Sequence, residues 1–132
     1  MGLDIGTKYI GVAISDESCM LAQGRETIVR NTDESVLDRL KFFVVEENIK
    51  EIVVGLPLNM NGTEGPRAKD SIDFSEMLKS HFDVSVKLWD ERLSTKECED
   101  ILILASVRRN KRKRVIDKIA AQIILQGYLD SL

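Results

Sequence analysis

The sequence predicts an α/β fold: a mixed five-stranded sheet, three antiparallel strands followed by two parallel ones, flanked by helices. Three observations carry this. Three short strand-like segments open the chain, two later apolar segments of strand length each follow or precede a helical pattern, and the run "EIVVGL" has no polar face at all. Strands in series followed by alternating β and α segments give a mixed sheet covered by helices. At 132 residues the chain is read as one domain, 1–132, large enough for a core without disulfides or structural metals.

The elements follow in order. "LDIGTKYIGVAIS" reads as two strands joined by a tight turn over Gly6 to Lys8, with Ile10, Val12 and Ile14 alternating with Gly11 and Ala13. Because Met1, Gly2 and Leu3 alone precede Asp4, the first strand is expected to fray or to begin upstream of Met1. "RETIVR" is the third strand. Asn31, with Glu34 three residues on, has the spacing of a helix N-cap. The helix after it runs to about Asn48, with Val36, Leu37, Leu40, Phe43 and Val44 at helical spacing. "EIVVGL" is a central parallel strand buried on both faces. "PLNMNGTEGP" holds both prolines of the chain and is a loop. A second helix starts near Pro66 and carries Ile72, Phe74, Met77 and Leu78. "VSVKLW" is the fifth strand. Ser94 and Glu97 match a capping box and mark a third helix. A basic loop comes next, and a last helix, "VIDKIAAQIILQGYLDSL", has Val115, Ile116, Ile119, Ile123 and Tyr128 on its apolar side.

Hydrophobic residues make up 43% and charged residues 31%, as in ordinary soluble domains. No apolar run approaches the roughly 20 residues that span a bilayer, and no signal peptide is visible. Cys19 and Cys98 are too few and too far apart for a disulfide framework or zinc site. A reduced, cytoplasmic protein with no membrane partner is expected. The net charge is −3 but uneven: "RRNKRKR", residues 108–114, holds six of the 19 basic residues, leaving 13 against 22 acidic ones elsewhere. Such a run is either a solvated loop or a contact for a phosphate backbone.

Three acids stand out by position. Asp4 lies between Leu3 and Ile5 within a strand, where a carboxylate is costly to bury unless paired or bound to a cation. Glu91, just past the fifth strand, is open to three readings: a solvated loop residue, a partner of Arg92, or a ligand. Asp117, in the first turn of the last helix, is also accounted for by the helix dipole. Together the three can converge at the carboxyl edge of the sheet, where α/β sheets place their sites. Clustered carboxylates repel, and Mg²⁺ or Mn²⁺ resolves that repulsion with oxygen ligands. Two such ions roughly 4 Å apart can activate a water and stabilise the leaving oxygen of a phosphodiester. Ala120 and Ala121 either leave room for a substrate backbone or pack the helix closely on the sheet. His81 reads as a surface residue, and Trp89, Tyr9 and Tyr128 as scattered, so no base-stacking platform is expected.

"LDIGTKYIGVAISD", "VVGLPLNMNGTEGPRA", "WDERLST" and "VIDKIAAQIILQGYL" resemble, in order, the motifs of the YqgF family. These are Holliday-junction-resolvase-like proteins, also described as nucleases of pre-16S ribosomal RNA. The resemblance covers nearly the whole chain. It implies an RNase H-like fold and a metal-dependent nuclease, with Asp4, Glu91 and Asp117 as catalytic acids and ligands of two Mg²⁺ or Mn²⁺ ions. The family's "GLP" loop falls on Gly55, Leu56 and Pro57, followed by Asn59, Gly62 and Arg67. The basic stretch is a family feature too, so Thr7, Lys8, Asn59, Arg67, Arg92, Arg108, Arg109, Lys111, Arg112, Lys113 and Arg114 are the candidate nucleic-acid contacts. Two departures stand out: Tyr9 occupies a position the family usually gives to arginine, and the chain starts closer to the first motif than the family pattern implies; in addition, Ala120 stands where better-characterised junction resolvases carry a fourth acid. The implied partner is an rRNA precursor or branched DNA, bound by a monomer or a homodimer. Two competing readings are a non-catalytic nucleic-acid-binding module and an ATP-binding domain of the actin and sugar-kinase type, whose phosphate loop "LDIGTKYIGVAISD" also resembles. The latter needs two such domains, and 132 residues supply one.

Overall fold

The computed structural model describes residues 1–59, 61–90 and 109–132, with the backbone alone from 109 to 117. Its strands are β1 (Gly2–Ile5), β2 (Tyr9–Ser15), β3 (Ala22–Val29), β4 (Glu51–Leu56) and β5 (Ser85–Asp90). Its helices, in the order met among the described residues, are α1 (Asp33–Glu46), α2 (Pro66–His81) and α3 (Arg109–Ser131). The strands form one sheet in the order β3-β2-β1-β4-β5. β2 pairs antiparallel with both β1 and β3, and β4 runs parallel to both β1 and β5. The mixed five-stranded sheet read from the sequence is therefore present. The helix expected from Ser94 lies outside the described residues.

Alternation along β1 and β2 divides the core between two faces. Leu3, Ile5, Ile10, Val12 and Ile14 pack on one side with Val36, Leu40 and Phe43 of α1 and Phe74 and Leu78 of α2. Ala13, Ala22 and Val53 pack on the other with Ala121, Ile124 and Leu125 of α3. The three-residue run Ile52–Val54 of β4 is buried throughout, as a strand covered on both faces must be. The first strand does not fray: all of Gly2–Ile5 is buried, and the Val53 amide donates to the Met1 carbonyl at 2.8 Å.

Small residues set how closely α3 lies on the sheet. A Cβ added to Gly2 would stand 2.7 Å from Leu125 Cβ and 3.1 Å from the Ala121 carbonyl oxygen. The helix backbone thus rests almost directly on β1. Ala120 and Ala121, at 1% and 0% exposure, are packing residues rather than a floor for substrate. The apolar side of α3 is correspondingly displaced from the one read in sequence: Ile124 and Leu125 are buried, whereas Ile119 and Ile123 are partly exposed. The face that meets the sheet combines the small Ala120 and Ala121 with Ile124 and Leu125.

The same helix protects an edge. Gln122 and Gln126, one turn apart, accept hydrogen bonds from the amides of Gly24 (3.1 Å) and Ala22 (2.8 Å) on edge strand β3. Gln126 also donates to the Met20 carbonyl at 2.9 Å. Unpaired edge groups invite pairing with another chain, and these side chains satisfy them. A register shift at Val12/Ala13 further twists this edge.

Helix α1 starts one residue later than Asn31 would place it. Thr32 is the cap: its Oγ1 accepts from the Ser35 amide at 3.0 Å, and Ser35 Oγ accepts from the Thr32 amide at 3.3 Å. Serine closes the reciprocal box in place of the expected glutamate. Thr32→Ala is expected to cost about 1 kcal/mol, read as a lower urea midpoint with unchanged slope.

Candidate functional site

The carboxyl ends of the parallel strands β1, β4 and β5 lie side by side, with Leu3 opposite Val54 and Leu56 opposite Asp90. Asp4 is on β1 at this edge, opposite Gly11 of β2. Gly2 faces α3, so Asp4, two residues on, projects to the same side of the sheet. It is 6% exposed. Burial raises its carboxyl to a pKa of about 6, an effect that the Arg67 guanidinium partly opposes. That guanidinium reaches over the sheet edge from α2, donates to the Ile5 carbonyl at 3.4 Å, and stands 4.0 Å from Asp4 Oδ1. It is 53% exposed, so solvent screens the pair. The carboxylate within the apolar strand is buried, and among the described residues Arg67 is the cation that faces it.

The direction of α3 relative to the sheet follows from its contacts with β3. Going from Gln122 to Gln126 along the helix corresponds to going from Gly24 back to Ala22 along β3. β3 and β1 both pair antiparallel with β2, so α3 runs antiparallel to β1. From the contact of Ala121 with Gly2, four residues back along the helix is a rise of about 6 Å. Two residues forward along β1 is about 6.6 Å, in the same direction. Going back along α3 toward Asp117 thus leads to the same end of the sheet as going forward along β1 to Asp4.

Asp117 is not in the first turn of its helix. The helix begins at Arg109, two turns earlier, whereas the dipole acts on the first turn. The dipole therefore does not account for this acid. Likewise Arg109, Lys111, Arg112, Lys113 and Arg114 lie on α3 and not in a loop. Lysine and arginine are good helix formers, and neither glycine nor proline interrupts the run. Glu91, Arg92 and Arg108 lie outside the described residues; Glu91 directly follows the last residue of β5. Among the described residues no three His, Cys, Asp or Glu side chains gather, and Asp4 is the one nominated acid whose side chain is described.

The other candidate contacts divide. Thr7 and Lys8 are exposed on the β1–β2 turn. Asn59 is exposed, but its amide side chain donates to Thr63 Oγ1 at 3.0 Å and its backbone amide to the Thr63 carbonyl at 2.9 Å. Asn59 thus builds the loop after β4, in which Gly62 takes φ 84°. His81 is exposed at the end of α2, with Nδ1 2.9 Å from the Met77 carbonyl oxygen. The aromatic residues are less scattered than the sequence implies. Trp89 and Tyr128 meet edge to face with centroids 5.8 Å apart, and Lys87 donates to the Tyr128 hydroxyl at 3.1 Å. This contact joins the end of β5 to α3.

Compared with known proteins, residues 1–131 match the family described as RuvX, Holliday junction resolvase. The chain belongs to this family. A protein of Halothermothrix orenii is 55% identical over 130 residues, covering 98% of this chain and 93% of its own length. One of Bacillus subtilis (strain 168) is 54% identical over 134 residues, covering 100% and 97%. One of Desulforamulus reducens is 52% identical over 131 residues, covering 99% and 96%. All three bear the name "Putative pre-16S rRNA nuclease". The RuvX family is the one that the four sequence motifs resemble under the name YqgF, and the mixed sheet agrees with its RNase H-like fold. Within that fold, the edge holding Asp4 is where α/β sheets place their chemistry. No helix among the described residues is long and apolar enough to cross a membrane.

Proposed function

We propose that this chain is a metal-dependent endonuclease that hydrolyses phosphodiester bonds in structured nucleic acid, processing the 5′ end of pre-16S rRNA. The observation that carries the reading is Asp4: a carboxylate buried at the carboxyl edge, held at a pKa of about 6 by burial and faced by a guanidinium 4.0 Å away. Among the described residues only Arg67, half exposed, offsets the burial of this carboxylate, and a hard cation suits such a group better than a core does. Family membership and the names of the relatives support the same reading.

Asp4, Glu91 and Asp117 would hold Mg²⁺ or Mn²⁺, two ions in the full site. When bound, the ions supply activation of the attacking water and neutralisation of charge at the leaving oxygen. The chain's own residues do the rest. Burial of Asp4 withholds water from the carboxylate and fixes its direction. Thr7, Lys8, Arg67 and Arg92, together with the basic run Arg108 to Arg114, hold phosphates and thereby orient the scissile bond without reading bases. Six cations in that run make binding steeply salt-dependent. Junction resolution is the second reading, favoured by the description of the family; a two-fold junction suits a homodimer, whereas trimming one RNA end needs a monomer.

The test uses two labelled substrates, an RNA spanning an immature 16S end and a four-way DNA junction, each with Mn²⁺, Mg²⁺ or chelator. Metal-dependent cuts in the RNA, lost in Glu91→Gln and Asp117→Asn, are expected. Cuts confined to the junction would transfer the function to recombination. Binding of both substrates with no cut would favour the non-catalytic reading.

A further inference from the structure

Arg30 and Asp70 belong to none of the motifs, yet they connect the two sides of the site. Arg30 follows β3, and its backbone amide donates to the Lys8 carbonyl at 2.9 Å. Its Nη1 donates to the Gly6 carbonyl at 3.0 Å, in the turn that follows Asp4. The same guanidinium forks onto Asp70 of α2, Nη1 to Oδ2 at 2.6 Å and Nη2 to Oδ1 at 2.8 Å. It also lies over the ring of Phe74, 5.5 Å from its centroid, and Phe74 is 3% exposed. Its side chain is 19% exposed. A two-pronged, partly buried guanidinium fixes both distance and angle.

The consequence is geometric. The turn carries Thr7 and Lys8, the candidate phosphate contacts on one side of Asp4. The first turn of α2 carries Arg67, the contact on the other, bonded to the Ile5 carbonyl. Successive carbonyls after Asp4, those of Ile5 and Gly6, are thus each held by an arginine, and Arg30 ties the turn to the helix that bears Arg67. We propose that Arg30 and Asp70 are positioning residues, a clamp that sets the turn and α2 at a fixed separation around Asp4 so that the cations on both sides meet one phosphate backbone in register. Neither residue touches Asp4. Arg30 holds the Asp70 carboxyl below its ordinary range, in keeping with a formed pair.

The kinetic part of this inference rests on the nuclease reading. The test compares wild type, Arg30→Lys, Asp70→Ala and Asp70→Glu in Mn²⁺-dependent cleavage, with exchange of the Gly6 and Arg30 amides, which donate to the Tyr9 and Lys8 carbonyls, measured on the same proteins. Misplacing contacts by a fraction of an ångström slows turnover more than it weakens binding. Arg30→Lys keeps the charge but loses the fork, and Asp70→Ala loses the partner. Both are expected to lower kcat about tenfold, to leave KM within about threefold because the basic run supplies most of the attraction, and to speed exchange in the turn. Asp70→Glu is expected to restore most of the rate. An unchanged kcat, or a kcat loss that Asp70→Glu shares in full, overturns the clamp while leaving the nuclease reading standing. If wild type cleaves nothing, the nuclease reading fails by itself, and the exchange rates decide: unaltered exchange of the Gly6 and Arg30 amides overturns the clamp, faster exchange supports it.

Discussion

Asp4→Asn is expected to be more stable than the native protein at neutral pH. The folded carboxyl titrates at about 6 against an ordinary value of 3.8 because burial disfavours its charged form. A folded pKa above the unfolded one means that the fold binds the proton more tightly. The stability tied to that proton is complete below pH 4 and is lost as the pH rises through 6. The full displacement corresponds to roughly 3 kcal/mol, removed when a neutral amide of the same shape replaces the acid. Thermal unfolding at pH 7.5 without divalent metal should show a midpoint roughly 5–10 °C higher for the variant. The difference should shrink toward zero near pH 4. Mn²⁺ should raise the midpoint of wild type and leave that of Asp4→Asn where it is, because mass action stabilises the protein that binds the ligand. A variant less stable than wild type at pH 7.5 would show that Asp4 is a structural anchor.

Gly2→Val is expected to lose stability on the largest scale the core allows. The first added carbon would lie 2.7 Å from Leu125 Cβ and 3.1 Å from the Ala121 carbonyl oxygen. Neither is the free end of a flexible side chain, so α3 must lift off β1. Overpacking of this kind costs about 1–3 kcal/mol, with more where backbone must move. A fall of about 3 kcal/mol or more in urea unfolding is the expected result. The same lift displaces the helix that carries Asp117, proposed above as a metal ligand. Cleavage by the fraction still folded should therefore fall as well, which a change remote from α3 would not produce.

Much of this architecture is readable in the sequence, because local pattern dictates it. The unbroken apolar run of β4 and the proline at the start of α2 fall where the chain places them. Asp4 is conspicuous because a charge inside an apolar strand has no local explanation. What the sequence does not display depends on distance or on competing local signals. Asn31 and Thr32 are both good caps, and a local rule does not choose between them. The basic run looks like a loop by charge, but its residues propagate a helix, and that moves Asp117 two turns from the helix start. The buried face of α3 is set by how closely β1 admits it, through Gly2, a contact between segments far apart in the chain. Arg30 with Asp70, and Trp89 with Tyr128, join segments far apart in the chain; spacing carries no trace of such pairs.

The most direct test of the central claim, that Asp4 is a metal-holding carboxylate of a nuclease, is the Mn²⁺-dependent cleavage rate of wild type and Asp4→Asn on the pre-16S RNA. Both proteins would be shown folded by their unfolding midpoints. The expected result is a loss of at least roughly 100-fold in rate, equivalent to about 2.7 kcal/mol of barrier, in a variant that is the more stable of the two. An Asp4→Asn protein that cleaves at the wild-type rate would contradict the claim.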